Sequence, residues 1–234
     1  MPSTTTANSG PSNFGPLSLE QARLLRPTEV DPTVEGRVRF LAENLELRLP
    51  LHSLTVVNFA CGIGNDSREL REQLRAEKVI GLDTDHAALK VAEQRYYDSR
   101  FFSWTAQATE IAMESVDVVY GVGIFQARSV EERSELLRSF HGWLKPGGYL
   151  ALFENNPICL WGSSVLPKTQ WKREGRRVRQ SEVSKLIRTA GFEFPLIRSL
   201  LFFPKLLSFL RPCEPLLSVL PFGAQFMALS KRSE

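Results

Sequence analysis

The chain has 234 residues, 43% of them hydrophobic, which suits one α/β core with insertions rather than two cores. A formal charge of +3 from 29 basic and 26 acidic residues is too balanced to argue for nucleic-acid binding, and three cysteines (Cys61, Cys159, Cys213) without CxxC or Cys/His spacing argue against structural zinc and for a reducing, cytoplasmic compartment. Residues 1–16, polar and rich in Pro, Gly, Ser and Thr, read as a disordered tail rather than a secretory leader, and the apolar run 194–210 is interrupted by Arg198, Pro204 and Lys205 short of the roughly 20 apolar residues that a spanning helix needs.

Residues 33–49 place Val34, Val38, Leu41 and Leu45 at steps of three and four, an amphipathic helix that ends at Pro50. Residues 54–59 are apolar and β-branched up to Asn58, as in a strand covered on both faces. Residues 66–77 are helical in pattern, 78–82 form a second buried-type strand closed by Asp83, and 86–95 form a helix capped by Thr84 or Asp85. A short aromatic strand is expected over 100–104, a loop or helical turn over 107–113, and a strand over 116–120 that loosens at Gly121 and Gly123. Residues 129–144 make the clearest helix, with Leu136, Leu137, Phe140, Trp143 and Leu144 on one face, stopped by Lys145-Pro-Gly-Gly148 before a strand over 149–153. A helix over 181–190 ends at Gly191, two late strands are expected over 194–201 and 224–230, and the Phe/Leu-rich insertion 202–220 is expected to hold a helix cut by Pro204, Pro212 and Pro215.

Repeated alternation of strand and helix predicts a mostly parallel sheet with helices on both faces. Ligand groups in such sheets gather beyond the carboxyl ends of the strands. The stretch 55–67 is a strand that breaks at Gly62 and Gly64 and opens a helix, which brings backbone N–H groups and a positive helix end to one point. Asp83, at the end of the second strand, is acceptor-only when ionised and suits a ribose diol; the plainer alternative is a helix N-terminal acid. A dinucleotide site is the competing reading, but its third glycine falls at Ser67.

Four segments in this order and spacing resemble class I S-adenosylmethionine-dependent methyltransferases over roughly residues 50–232: Val57-Asn-Phe-Ala-Cys-Gly-Ile-Gly64, Val79-Ile-Gly-Leu-Asp83, Val116-Asp-Val-Val-Tyr120 and Leu144-Lys-Pro-Gly-Gly-Tyr-Leu150. The resemblance implies a Rossmann-like seven-stranded sheet with an antiparallel last strand, in one domain over 17–232 with an N-terminal helical cap over 17–50 and the insertion over 202–220. It implies S-adenosylmethionine as the cofactor, held by Asn58, Ala60, Gly62, Gly64, Asp83, Thr84, Gln107 and Ala108. Asn58 and Gln107 are carboxamides where the family usually carries acids, which removes the charge assistance of a hydrogen bond to an ammonium or amine.

On the acceptor side, Glu154 is the candidate base or orienting group, with a loop-fixing acid as the alternative reading, and Tyr120, Gln126, Asn155 and Asn156 are candidate substrate contacts. The basic run 168–179, including Arg176 and Arg177, reads either as an anion clamp or as a solvated loop. The Glu154-Asn-Asn-Pro157 element and the late insertion are similar to bacterial small-molecule methyltransferases of the type-11 or type-12 grouping. The expected function is methyl transfer to a small molecule through an oxygen nucleophile, the alternative being a methyltransferase-fold protein that binds without transferring. Expected partners are the small-molecule acceptor, anionic or lipid-linked, and a second copy in a homodimer; no nucleic acid and no metal are expected. His52, His86 and His141 have no metal-ligand partner at useful spacing.

Overall fold

The computed structural model describes residues 32–126, 128–159 and 177–233. Helix α1 (Pro32–Glu46) leads into β1 (Leu54–Phe59), α2 (Ser67–Gln73), β2 (Ala76–Leu82), α3 (His86–Arg95) and β3 (Phe102–Thr105). A 3₁₀ turn (Ala108–Glu110) precedes β4 (Val116–Val122), α4 (Val130–Trp143), β5 (Leu144–Asn155) and α5 (Gln180–Thr189). Strand β6 (Leu196–Leu200), a 3₁₀ segment (Lys205–Cys213), α6 (Glu214–Leu217) and β7 (Gln225–Lys231) close the chain. The seven strands lie in the order β3-β2-β1-β4-β5-β7-β6, with β1 to β5 parallel and β7 antiparallel to both of its neighbours. This is the expected sheet, and its antiparallel strand is the last one.

Each face of the sheet is covered by a different apolar cluster. Val38, Leu41 and Leu45 of α1 pack with Leu70 and Leu74 against Val56, Val79, Val118 and Phe153 on one side. Leu137, Phe140 and Trp143 of α4 and Val183 and Ile187 of α5 cover Val57, Val119, Leu150 and Phe226 on the other. Burying side chains of this size contributes about 1.5–3 kcal/mol each, which explains why near-continuous apolar strands survive between two polar-faced helix layers.

Three boundaries differ from expectation for identifiable reasons. The second helix ends at Gln73 rather than at 77, because Ala76 already pairs with Leu54 and the sheet takes the residues that follow. Lys145-Pro-Gly-Gly148 does end α4, but as a bulge inside β5 rather than as a loop before it. Val116 pairs with Leu144 and Val118 with Tyr149, so four residues bow out of the ladder, and Gly147 turns them at φ +81°. The insertion is mostly 3₁₀ rather than α, with a break at Leu207 and a short α-helix after Pro212, as expected where prolines remove helical donors.

Candidate functional site

The carboxyl ends of β1, β2, β4 and β5 converge on the expected edge. β1 stops at Phe59, and the chain turns through Ala60 (φ +57°), Gly62 (φ +52°) and Gly64 (φ +77°) into α2. The two glycines are needed for different reasons. A Cβ at Gly62 would meet nothing within 4 Å, so this backbone faces open space that a ligand can fill, whereas a Cβ at Gly64 would lie 2.8 Å from the Trp104 ring and 3.1 Å from that of Tyr96. Gly64 is thus required by the protein's own packing as well as by its dihedral. Ala60 lacks that freedom, and a left-handed conformation costs an L-residue about 1–2 kcal/mol. Ala60→Gly is therefore expected to raise the thermal midpoint by about 2–4 °C, net of the larger unfolded-state entropy of glycine; a lowered midpoint would show that the turn is not strained.

Asp83 fixes this turn from β2. Its Oδ2 accepts the Gly62 N–H at 2.8 Å and its Oδ1 accepts the Asp85 N–H at 2.9 Å, with the residue 0% exposed. Each oxygen keeps a lone pair for a further donor. The helix cap that α3 needs comes instead from Asp85, whose Oδ1 accepts from the N–H groups of Ala87 and Ala88. Asp83 is thereby released from the plainer role of helix cap. Burial, reinforced by the Asp83 charge, pushes the Cys61 thiol well above its ordinary range, so the thiol beside the turn stays neutral.

Asn58, buried at the end of β1, donates through Nδ2 to Ser67 Oγ at 3.0 Å and ties the strand to the first residue of α2. Thr84, Gln107 and Ala108 are exposed at the rim. Gln107 contributes to a cavity of about 540 Å³ that runs along the outer edge of the sheet between α3 and β3, past His86, Lys90, Tyr96 and Trp104. Neither Gly62 nor Asp83 lines that cavity, whose Trp104 and Tyr96 walls pack against Gly64 of the turn.

Among the acceptor-side candidates, Tyr120 lies within β4 and is engaged inside the protein. Its hydroxyl donates to Asp66 Oδ2 at 2.6 Å and accepts from Arg37 Nε at 2.8 Å, and the ring is fully buried, so it is spent within the protein. Asn156 is also engaged: Nδ2 donates to the carbonyls of Pro221 and Gly223 at 2.6 and 2.8 Å, and Oδ1 accepts the Ile158 N–H. It pins the end of the insertion to the end of β5. Asn155 accepts from Gln225 Nε2 at 3.1 Å across the β5–β7 ladder. Glu154 is fully buried, and its Oε1 accepts the Phe125 N–H at 2.8 Å, which places it beneath the loop after β4. Gln126, in the same loop, is only 4% exposed, and its Nε2 has no hydrogen-bond partner among the described residues. Arg177 is half-buried ahead of α5; Arg176 and residues 168–175 of the basic run lie outside the described residues.

Two charged residues that shape the site went unrecognised in the sequence. Arg37 of α1 binds Asp66 at 3.1 Å as well as Tyr120, and Arg133 of α4 donates to the Phe125 carbonyl at 2.8 Å and to Glu182 of α5 at 2.8 Å. Phe125 is thus gripped at its N–H by Glu154 and at its carbonyl by Arg133. The signal was helical spacing. Arg37 falls between Val34 and Leu41, and Arg133 four residues before Leu137, both on apolar stripes where a charge implies a buried partner.

Residues 56–148 match a family profile described as a methyltransferase domain. Among curated proteins, the chain is 31% identical over 120 residues to malonyl-[acyl-carrier protein] O-methyltransferase 1 of Coxiella burnetii, covering 51% of this chain and 40% of that protein. It is also 31% identical over 119 residues to trans-aconitate 2-methyltransferase of Methylobacterium radiotolerans, covering 50% and 44%. The chain spans less than half the length of these relatives. Among solved structures, an S-adenosylmethionine-dependent methyltransferase from Mesorhizobium loti superposes with a TM-score of 0.60 at 19% identity, covering 85% of this chain and all of that one. A magnesium protoporphyrin IX methyltransferase from Synechocystis PCC 6803 with bound S-adenosylhomocysteine gives 0.59 at 15%, covering 90% and 92%. At these identities the likeness is one of fold.

Proposed function

We propose, for a chain that carries a methyltransferase domain of the class I S-adenosylmethionine-dependent family, that it transfers the methyl group of that cofactor to an oxygen of a small-molecule acceptor. The observation that carries this reading is the Gly62–Asp83 corner: a glycine backbone open to a ligand, held by a buried carboxylate with acceptor capacity to spare. These residues fit the cofactor. Asp83 would accept from the ribose hydroxyls, Gly62 would lie against the methionyl part, Asn58 would face the ammonium end, and Thr84, Gln107 and Ala108 would edge the adenine.

When bound, the cofactor would supply an electrophilic methyl on a sulfonium, open to displacement by the acceptor oxygen with the neutral thioether as leaving group. Charge is neutralised, so alignment in a dry pocket supplies most of the rate, and proximity contributes about 7–11 kcal/mol in favourable cases. The loop after β4, held by Glu154 and Arg133, positions Gln126 to orient the acceptor. Glu154 Oε1 holds the Phe125 N–H, a positioning role that suits an acceptor already ionised at neutral pH, such as a carboxylate. Two relatives whose names specify an O-methyltransferase and an organic-acid methyltransferase support this direction.

Glu154→Gln keeps an oxygen for the Phe125 N–H and is expected to lower kcat less than about tenfold, whereas loss of a general base costs about a hundredfold or more. Steady-state kinetics read this difference. The function itself is tested by transfer of radiolabelled methyl to panels of carboxylate, phenol and amine acceptors: label on carboxylates or phenols supports the proposal, and label on amines alone overturns the oxygen assignment.

A further inference from the structure

The insertion between β6 and β7 is firmly built yet turns its apolar side chains outward. Backbone bonds join Ser199 N–H to the Ser218 carbonyl and Ala224 N–H to the Leu201 carbonyl, and Asn156 holds Pro221 and Gly223. Nevertheless Leu206 is 89%, Leu216 81% and Phe209 72% exposed, and Val219, Leu220 and Phe222 are exposed with them. A segment ordered by this many anchors would be expected to bury such residues unless something else covers them.

Its charge pattern says what that cover is. Between residues 196 and 230 the cations are Arg198, Lys205 and Arg211, and the one acid is Glu214. Glu214 points inward, its Oε1 accepting the N–H groups of Phe202 and Phe203 at 3.1 Å each. Of these, Arg211 is exposed on the insertion, so its outward face is apolar with a cation and no exposed acid among the described side chains. A second copy of the chain in a two-fold interface would bring the same face with no acid to pair Arg211, and an ordinary acceptor pocket would not leave three large side chains in water. An anionic bilayer surface complements both properties at once, taking Leu and Phe side chains at the acyl boundary and Arg211 at the headgroups.

We propose that residues 202–222 are a membrane-docking surface selective for anionic lipid. It lies at the carboxyl end of β5 and β6, beside the candidate site, so a docked chain would present that site to amphiphiles resident in the bilayer interface. Among the described residues no helix is long and apolar enough to cross a membrane, so the contact is peripheral. The docking claim stands on the insertion alone and does not require methyl transfer.

The test is co-sedimentation of the full chain with phosphatidylcholine vesicles, with and without phosphatidylglycerol, and analytical ultracentrifugation without lipid. The expected result is a monomer that pellets with phosphatidylglycerol vesicles, less so as salt is raised. Leu206→Ser combined with Phe209→Ser should weaken this binding about tenfold or more, and Arg211→Gln about fivefold, with an unchanged thermal midpoint because all three side chains are exposed. The proposal is overturned if the wild-type chain ignores anionic vesicles, if the double variant binds them equally well, or if the wild type is a dimer that the double variant converts to monomer without any lipid binding.

Discussion

Asp83→Ala is expected to weaken S-adenosylhomocysteine binding by about a hundredfold or more. A hydrogen bond to a charged acceptor contributes about 1.5–3 kcal/mol, two ribose hydroxyls are at stake, and each 1.4 kcal/mol is a factor of ten. The alanine also frees the Gly62 N–H that shapes the turn, so the cradle loosens at the same time. Asp83→Asn should not rescue it. The carboxylate faces two backbone donors, one per oxygen, and an amide can offer only one oxygen; its NH₂ would be set against the N–H of either Gly62 or Asp85. Calorimetric titration of both variants, with circular dichroism to confirm folding, checks this. Affinities within a few-fold of wild type would show that Asp83 merely braces the turn.

The second large effect lies in the Arg37–Tyr120–Asp66 network, which joins α1, β4 and the start of α2. Burial alone would lower the Arg37 pKa, but the interactions with Tyr120 and Asp66 raise it above the ordinary guanidinium value, so the side chain stays charged. Burial likewise pushes the Tyr120 phenol well above its ordinary range and keeps it a donor to Asp66. Removing one partner from such a buried pair typically costs about 3–5 kcal/mol, and the lower end is expected here because Asp66 retains some solvent and the Tyr120 hydroxyl. Arg37→Met, which keeps the apolar stem, should therefore lower stability by about 3 kcal/mol in urea denaturation. Arg37→Lys should restore little, since a single ammonium cannot serve Tyr120 from Nε and Asp66 from Nη2 together. Combining Arg37→Met with Tyr120→Phe should cost less than the sum of the two, because both break the same network. A loss under about 1 kcal/mol would place the pair among ordinary surface contacts.

The sheet was legible because its signals are local. Runs such as 54–59 and 116–120 are apolar enough to require cover on both faces, and the glycines at 62 and 64 mark the turn that their positive φ values confirm. What escaped depends on residues distant in sequence. Arg37 and Tyr120 are 83 positions apart, and only the tertiary fold brings a helix charge to a strand phenol. Tyr120 is expected at the end of a strand and instead lies inside β4, and a position near a strand end does not say whether a polar side chain, there or at Asn156, is free or already bonded. The strand after α4 was expected at 149 because Pro and Gly stop a helix; the sequence did not show that the same residues would bulge within a ladder already begun at Leu144.

Methyl transfer requires above all that the Gly62–Asp83 corner take the cofactor. Titration of the wild-type chain with S-adenosylhomocysteine is predicted to give one saturable site per chain, and no heat at high micromolar protein would contradict it.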